Sequence, residues 1–430
     1  MKKVSLRAYA AVLLAFAVIF GLALYVVRYF TDGEDWALFF DAATSGTTCT
    51  LTDRNGEVLA LMSSDGRFYS DDDDTRTACY HAVGDYEGNV GTGALRSFSR
   101  QLSDFSYIGG IDVKEDKTLA LTIDSELNRV AYEALAGRKG VVLVSDYTTS
   151  EILCMVSSPS LDPYSPPSEL PDGVYINRAI SSSFVPGSVF KLVTLTAAIE
   201  NIPDLYDRTF ECTGSIEVMG VKITCTGYHG TQTIEQALSN SCNCAFGKIA
   251  LELGVDTMTE YAEKLGITTS HSLDGIDTAK GNYDGDAEGS SALAWSGIGQ
   301  YNDLVCPYSM LRLVSAVANG GVLREPSLLG ASETETRLMS ADTADKIAQM
   351  MSYNVAAHYG TDRFPGLDLA AKTGTAELGN GEPDHGWFAG FIRNEGHPLA
   401  FVVLVENGGS GLYAASPVAN AVLQAAVNGG

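Results

Sequence analysis

The stretch Phe184-Val-Pro-Gly-Ser-Val-Phe-Lys191, running on into Leu192-Val-Thr-Leu-Thr-Ala-Ala-Ile199, decides how this 430-residue chain is read. From Leu192 to Ile199 every residue is apolar or Thr, with no polar face. Such a pattern predicts a helix buried on all sides. Ser188 and Lys191 stand three residues apart at its start, a spacing that puts both side chains on one helical face. Lysine is almost never fully buried without a compensating partner or role. The Ser-x-x-Lys pair is therefore the first candidate for chemistry.

Outward from this helix, elements alternate. Asp124 is a good N-cap for a helix reaching Ala136 and closed by Gly137. Val141–Ser145 and Glu151–Val156 read as buried strands joined by a polar turn. Helices are predicted at Thr233–Leu253 and Thr257–Leu265. Ala370–Glu377, Trp387–Arg393 and Leu399–Glu406 read as three strands of one sheet, followed by a closing helix at Ser416–Val427. The result is an α/β chain ending in an antiparallel meander. Ahead of it, Thr31 to about Lys117 is Gly- and Asp-rich. It carries a strand-turn-strand signal at Thr50–Met62, with Asn55-Gly56 as the turn. Asp71–Asp74 lack the alternating ligands and central Gly of a calcium loop and read as a solvated loop.

The charge divides the chain. The net formal charge is -25, yet residues 1–30 hold Lys2, Lys3, Arg7 and Arg28 and no acid, leaving 24 basic and 53 acidic residues beyond them. The basic end leads into the longest apolar run, Ala8–Val27, long enough at ~1.5 Å per residue to cross a bilayer's hydrocarbon core. Arg28-Tyr29-Phe30 follows it, where a cleaved signal peptide would have a small-x-small site. An uncleaved single-pass anchor is predicted, with the cationic end in the cytoplasm and the remainder outside. The acidic balance excludes a nucleic-acid-backbone binder.

Three readings of the eight cysteines stand side by side. An external location permits disulfides, and Cys212 with Cys225 flanks a turn signal at Gly214, which suits a local bridge; Cys49 with Cys79 is a second candidate. A zinc site among Cys212, Cys225, Cys242 and Cys244 lacks the paired C-x2-C spacing that tetrahedral sites favour. Cys154, Cys242, Cys244 and Cys306 read equally as small buried apolar residues. The six histidines form no evident ligand cluster, and no metal or cofactor is predicted.

Several catalytic signatures are missing, among them G-x-S-x-G, H-E-x-x-H and the phosphate loop. What remains is an ordered set. Ser188-x-x-Lys191 comes first. Ser241-Cys242-Asn243 follows 53 residues on, with Ser352-Tyr-Asn354 as a rival of the same form. Lys372-Thr-Gly374-Thr375 comes 131 residues after Ser241, in a predicted strand where the Gly leaves room for a ligand backbone. A serine needs a base to attack, and a lysine serves if burial or a second cation keeps it neutral.

In this order the three elements resemble the penicillin-recognising serine enzymes. The surroundings resemble class B penicillin-binding proteins in particular: Asn177-Arg-Ala179, Phe184–Lys191, Leu121–Asp124, Gly297-Ile-Gly-Gln300, Lys372–Glu377 and Gly386-Trp-Phe388, with Asp53–Ala60 similar to the start of the family's pedestal. Val189, Tyr301, Cys306 and Gly93-Ala-Leu-Arg96 depart from the family pattern. The resemblance implies a serine β-lactamase-like transpeptidase domain, a central antiparallel sheet between helices, over residues 118–430. It also implies a small, mainly β pedestal at 28–117, an anchor at 8–27 and a cytoplasmic tail at 1–7.

The implied activity is a peptidoglycan D,D-transpeptidase. Ser188 is then the nucleophile, Lys191 its base and Ser241 the proton relay held with Lys372. Asn243 binds the peptide backbone, and Thr373, Gly374 and Thr375 line the substrate strand. Implied partners are stem peptides, β-lactams as covalent inhibitors, the membrane and a membrane glycan polymerase. A D,D-carboxypeptidase, a β-lactamase and a β-lactam-sensing receptor share the same cleft.

Overall fold

The computed structural model describes residues 2–38, 47–103, 115–285, 288–379, 381–394 and 396–429. Residues 39–46 and 104–114, within the stretch read as a pedestal, lie outside this description. The chain divides into two compact units, 1–52 with 58–70 and 83–119, and 53–57 with 71–82 and 120–430.

The first unit begins with helix α1 (Lys2–Leu38). Its segment Arg7–Phe30 is 24 residues of apolar helix in which no residue is buried, long enough at ~1.5 Å per residue to span a bilayer. Strands β1 (Cys49–Thr52), β2 (Val58–Ser63), β3 (Gly66–Tyr69) and β4 (Lys117–Ala120) form an antiparallel-hairpin sheet in the order β3-β2-β1-β4. The Asn55-Gly56 turn is present, with Gly56 at φ 87°.

The acids Asp71–Asp74 are all exposed, as a solvated loop would leave them, but only Asp71 and Asp72 lie outside regular structure. Asp72 Oδ1 accepts the Thr75 N–H at 2.6 Å, and Asp73 and Asp74 open helix α2 (Asp73–Val83). Carboxylates are favoured there by the free N–H groups and the helix dipole.

The second unit is built on a five-stranded sheet. Its strands are β5 (Gly140–Asp146), β6 (Ile152–Ser158), β7 (Leu369–Ala376), β8 (His385–Ile392) and β9 (Leu399–Val405), in the order β7-β8-β9-β5-β6, all antiparallel. β8 and β9 are buried at every position, as the unbroken apolar sequence of β9 and that of β8 beyond His385 require when both faces are covered. On one face, helices α3 (Ser125–Leu135) and α9 (Ser416–Asn428) cover Val142, Val144, Cys154, Val156, Phe401, Val403 and Val405. On the other, helix α7 (Pro307–Ala318) packs against β5, β8 and β9, with Ser315 Oγ 3.5 Å from Ser145 Oγ. Each fully buried aliphatic or aromatic side chain here contributes about 1.5–3 kcal/mol.

The predicted helix after Lys191 is α4 (Lys191–Asn201), buried along nearly all of its length. The helix expected over Thr233–Leu253 is broken. α5 (Ile234–Ser239) starts in a capping box between Thr233 and Gln236 and stops before Ser241, which lies at φ 51°. α6 then runs from Asn243 to Lys264. The second expected helix is merged into it across a kink at Gly254. The break at Ser241 shapes the candidate site.

Candidate active site

Ser188 sits in a 3-10 turn, Gly187–Phe190, that feeds directly into α4. The turn is clamped between two other segments. Gly187 N–H donates to Gly299 O at 2.8 Å, and Trp387 Nε1–H donates to Val185 O at 2.9 Å. Gly187 is at φ 54°, and a Cβ on it would lie 2.4 Å from Thr375 O. Only glycine allows both that dihedral and that approach. The turn therefore lies against the end of β7, the strand that carries Lys372–Thr375.

All five candidate catalytic residues converge on one polar chain. Lys191 Nζ lies 2.9 Å from Ser188 Oγ and 3.1 Å from Ser241 Oγ. It donates to Ser241 O and to Asn243 Oδ1, both at 2.7 Å. Lys372 Nζ donates to Ser241 Oγ at 3.1 Å and to Thr373 O at 2.7 Å. The positive φ of Ser241 lets its carbonyl and hydroxyl both face Lys191. Asn243 is held by donation from its Nδ2 to Thr224 O at 2.9 Å.

Both lysines are fully buried. Burial pulls the Lys191 ammonium down to about 7, against an opposing pull from negative charge on the sulfurs of Cys225, Cys242 and Cys244. Burial first, and the Lys191 cation second, hold Lys372 well below the ordinary lysine range. A neutral Lys191 has two N–H bonds for its two carbonyl-type acceptors and one lone pair for the Ser188 hydroxyl. With the Ser241 hydroxyl also bound by Lys372, the other three neighbours suit the free amine, the form a general base must have.

Strand β7 is at the edge of the sheet. Thr375 is exposed and Thr373 half-buried; the N–H and O of Thr373 are taken by Tyr359 and Lys372, which leaves the edge beside Thr375 for an extended peptide to pair with. Lys372, on a strand end where a lysine is ordinarily solvated, is completely buried. Two supporting contacts went unread in the sequence. Tyr359 Oη accepts the Thr373 N–H at 3.0 Å and lies 3.2 Å from Thr373 Oγ1. Its ring packs on Phe388, 6.1 Å between centroids, in the core beneath the sheet. The Gln300 amide, oriented to satisfy both groups, pairs with Glu377 O and N at 3.3 and 3.2 Å.

The rival Ser352-Tyr-Asn354 lies on helix α8 (Ala341–Asn354). There the buried Asn354 donates to Ala371 O at 3.0 Å, and Ser352 Oγ accepts from Arg393. Both contacts are structural. All eight cysteines, each among the described residues, are free, so neither the Cys212–Cys225 nor the Cys49–Cys79 bridge is formed. Cys154, Cys242, Cys244 and Cys306 are buried as expected of small apolar residues. The expectation that no histidine joins a ligand cluster is overturned: His229 Nδ1 lies 3.5 Å from Cys212 Sγ and 3.6 Å from Cys225 Sγ.

Residues 140–426 match the family described as penicillin binding protein transpeptidase domain. The chain belongs to this family. Among curated members it is 28% identical over 383 residues to peptidoglycan D,D-transpeptidase PbpA of Mycobacterium tuberculosis, covering 78% of this chain and 77% of that one. It is 25% identical over 368 residues to peptidoglycan D,D-transpeptidase MrdA of Acinetobacter baumannii, covering 73% and 55%. Among solved structures, the D,D-transpeptidase domain of a peptidoglycan glycosyltransferase from Eggerthella lenta aligns with TM-score 0.76 and 26% identity over 89% of this chain and 99% of that one. Penicillin-binding protein A of M. tuberculosis, as its ceftriaxone acyl-enzyme, shares the fold at TM-score 0.75 and 24% identity, covering 90% and 99%. This is the transpeptidase fold that the order of the three motifs implied.

Proposed function

We propose that this chain is a peptidoglycan D,D-transpeptidase that works through an acyl-enzyme on Ser188 and is a target of β-lactams. The observation that carries the reading is the fully buried Lys191 amine, 2.9 Å from a serine hydroxyl and lowered to about 7. Lys191 takes the Ser188 proton as Oγ attacks the carbonyl of the penultimate D-Ala. Ser241, hydrogen-bonded to both lysines, passes a proton to the departing D-Ala amine. Lys372, Thr373 and Thr375 hold the substrate carboxylate, Gly374 leaves the strand open, and Asn243 binds the stem-peptide backbone. Backbone N–H groups of Ser188 and Thr375 serve as the oxyanion hole, each donor contributing about 3–4 kcal/mol. The amine of a second stem then replaces Ser188 and forms the crosslink.

The apolar helix supports a single-pass anchor at 8–27, with tail 1–7 cytoplasmic and residues 28–117 as a pedestal for the external catalytic domain 118–430. A membrane glycan polymerase is the proposed supplier of the strands to be crosslinked.

Full-length protein in detergent, incubated with a fluorescent penicillin, should label covalently, and the Ser188→Ala variant should not. Equal labelling of both sinks the assignment. Crosslinked products from a lipid-linked glycan polymer distinguish a transpeptidase from a carboxypeptidase, which yields only free D-Ala. Label lost within seconds points to a β-lactamase.

Gly187→Ala tests the clamp. Accommodating the new Cβ needs a shift of about 1 Å between the Ser188 turn and β7. Misplacement of that size costs about 10²-fold in rate. Labelling within threefold of the parent protein shows that the close approach is dispensable.

A further inference from the structure

Cys212, Cys225, His229 and Cys242 each offer one ligand atom, and these four atoms all lie within 4.8 Å of one another. Two hairpins and a helix start bring them together. Cys212 ends the strand Phe210–Cys212 and pairs with Gly230, which puts His229 beside it. Cys225 follows Thr224, whose partner across the Ser215–Val218 and Val221–Thr224 hairpin is Ser215. Cys242 is the N-cap of α6. Sequence spacing conceals the set because the donors are spread over 31 residues and no two form a C-x2-C pair.

We propose that these residues bind one zinc ion in a closed Cys3His site. A tetrahedral zinc has arms of about 2.3 Å to sulfur and 2.0–2.1 Å to nitrogen, so its edges are about 3.8 Å between two sulfurs and about 3.6 Å between sulfur and nitrogen. The observed separations are 3.8 Å for Cys225 Sγ to Cys242 Sγ and 3.5 and 3.6 Å from His229 Nδ1 to Cys212 and Cys225. A disulfide explains this arrangement less well. It would draw one sulfur pair to about 2.05 Å and leave the imidazole no reason to sit equidistant from two sulfurs. Cys212 and Cys242 are fully buried, and Cys225 and His229 half-buried, which suits a structural ion with entry from one side. Binding releases the three thiol protons, and the zinc has no open position left for substrate.

The ion would also hold part of the catalytic cleft. Cys242 stands between Ser241 and Asn243. Cys225 Sγ accepts the Asn243 backbone N–H at 3.2 Å, and Cys242 Sγ accepts that of Ala245 at 3.4 Å. N–H donors to metal thiolates fix ligand geometry. Zinc therefore ties the Cys225 hairpin to the turn that presents Ser241 and Asn243 to Lys191. This positioning role rests on the function proposed above; the presence of zinc does not.

The test uses full-length protein in detergent, purified without added metal. Elemental analysis should find about one zinc per chain, falling below about a tenth in Cys212→Ser and His229→Ala. Should these variants fail to fold, cobalt exchanged into the parent protein decides, by the visible and near-ultraviolet bands of tetrahedral cobalt thiolate. Stripping zinc with a chelator should slow labelling by the fluorescent penicillin at least tenfold, with zinc restoring it. Protein without zinc and without the cobalt bands overturns the site, and so does an intact mass two daltons low, the mark of a disulfide. Zinc-loaded protein that never labels refutes the Ser188 reading and leaves the metal site standing. Labelling indifferent to the chelator, with zinc shown to be gone, overturns the positioning role.

Discussion

Lys191→Met will fold and still lose about 10³- to 10⁴-fold of its rate of covalent labelling at Ser188, the upper range for removing a positioned general base. That is about 4–5.5 kcal/mol of barrier. Folding should survive because the amine is a poor occupant of its own site. Unfolded Lys191 binds its proton up to about 10.5, and the folded protein releases it at about 7, so between those values the unfolded state binds more protons. The lysine thus opposes folding most at and below pH 7, and its contribution improves as pH rises toward 10.5. A thioether of similar length removes that penalty. The cost is two buried acceptors, Ser241 O and Asn243 Oδ1, losing their donor, about 1–3 kcal/mol each. Thermal unfolding should therefore shift by only a few degrees while labelling collapses. A variant that labels within tenfold of the parent rules Lys191 out as the base.

The pH profile of acylation is the second large effect. The reactive species holds Lys191 as the free amine, so the rate must rise with pH and level off above about 7. At pH 5 only about 1% of a group with that pKa is neutral, and labelling should be about a hundredfold slower than on the plateau. The sign is that of a base: protonation at low pH removes the lone pair that accepts the Ser188 proton. Stopped-flow labelling from pH 5 to 9 measures it directly. A flat profile, or one that climbs only near pH 10, would mean that Lys191 is not the titrating base or that burial does not depress it.

The residues of the site were largely legible; their arrangement was not. Ser188 and Lys191 were visible because a lysine in a segment without a polar face demands an explanation, and three-residue spacing settles which neighbour it faces. Lys372 was visible only by its place in the ordered set, since a strand-end lysine is ordinarily solvated. Tyr359 carried no signal, because its role depends on a strand that begins ten residues later in sequence. The cysteine cluster was read against a paired-spacing rule that presumes local knuckles, whereas here hairpin register does the gathering. The helix drawn through Thr233–Leu253 failed because propensity is continuous there. What breaks it is the carbonyl and hydroxyl of Ser241 turning to a lysine fifty residues upstream.

The sequence by itself determined the apolar N-terminal helix, the buried helix after Ser188, the antiparallel meander and the identity of the chemical groups. These follow from periodicity and from the cost of burying charge, both of which act within short windows of chain. Tertiary structure alone decided that two lysines share one serine hydroxyl, that Ser241 adopts positive φ, and that three thiols and an imidazole meet beside it. Each depends on contacts between segments far apart in the chain. Local preferences are indifferent to these contacts, and the packed fold selects them because a buried amine or carbonyl left without a partner costs more than the strain of reaching one.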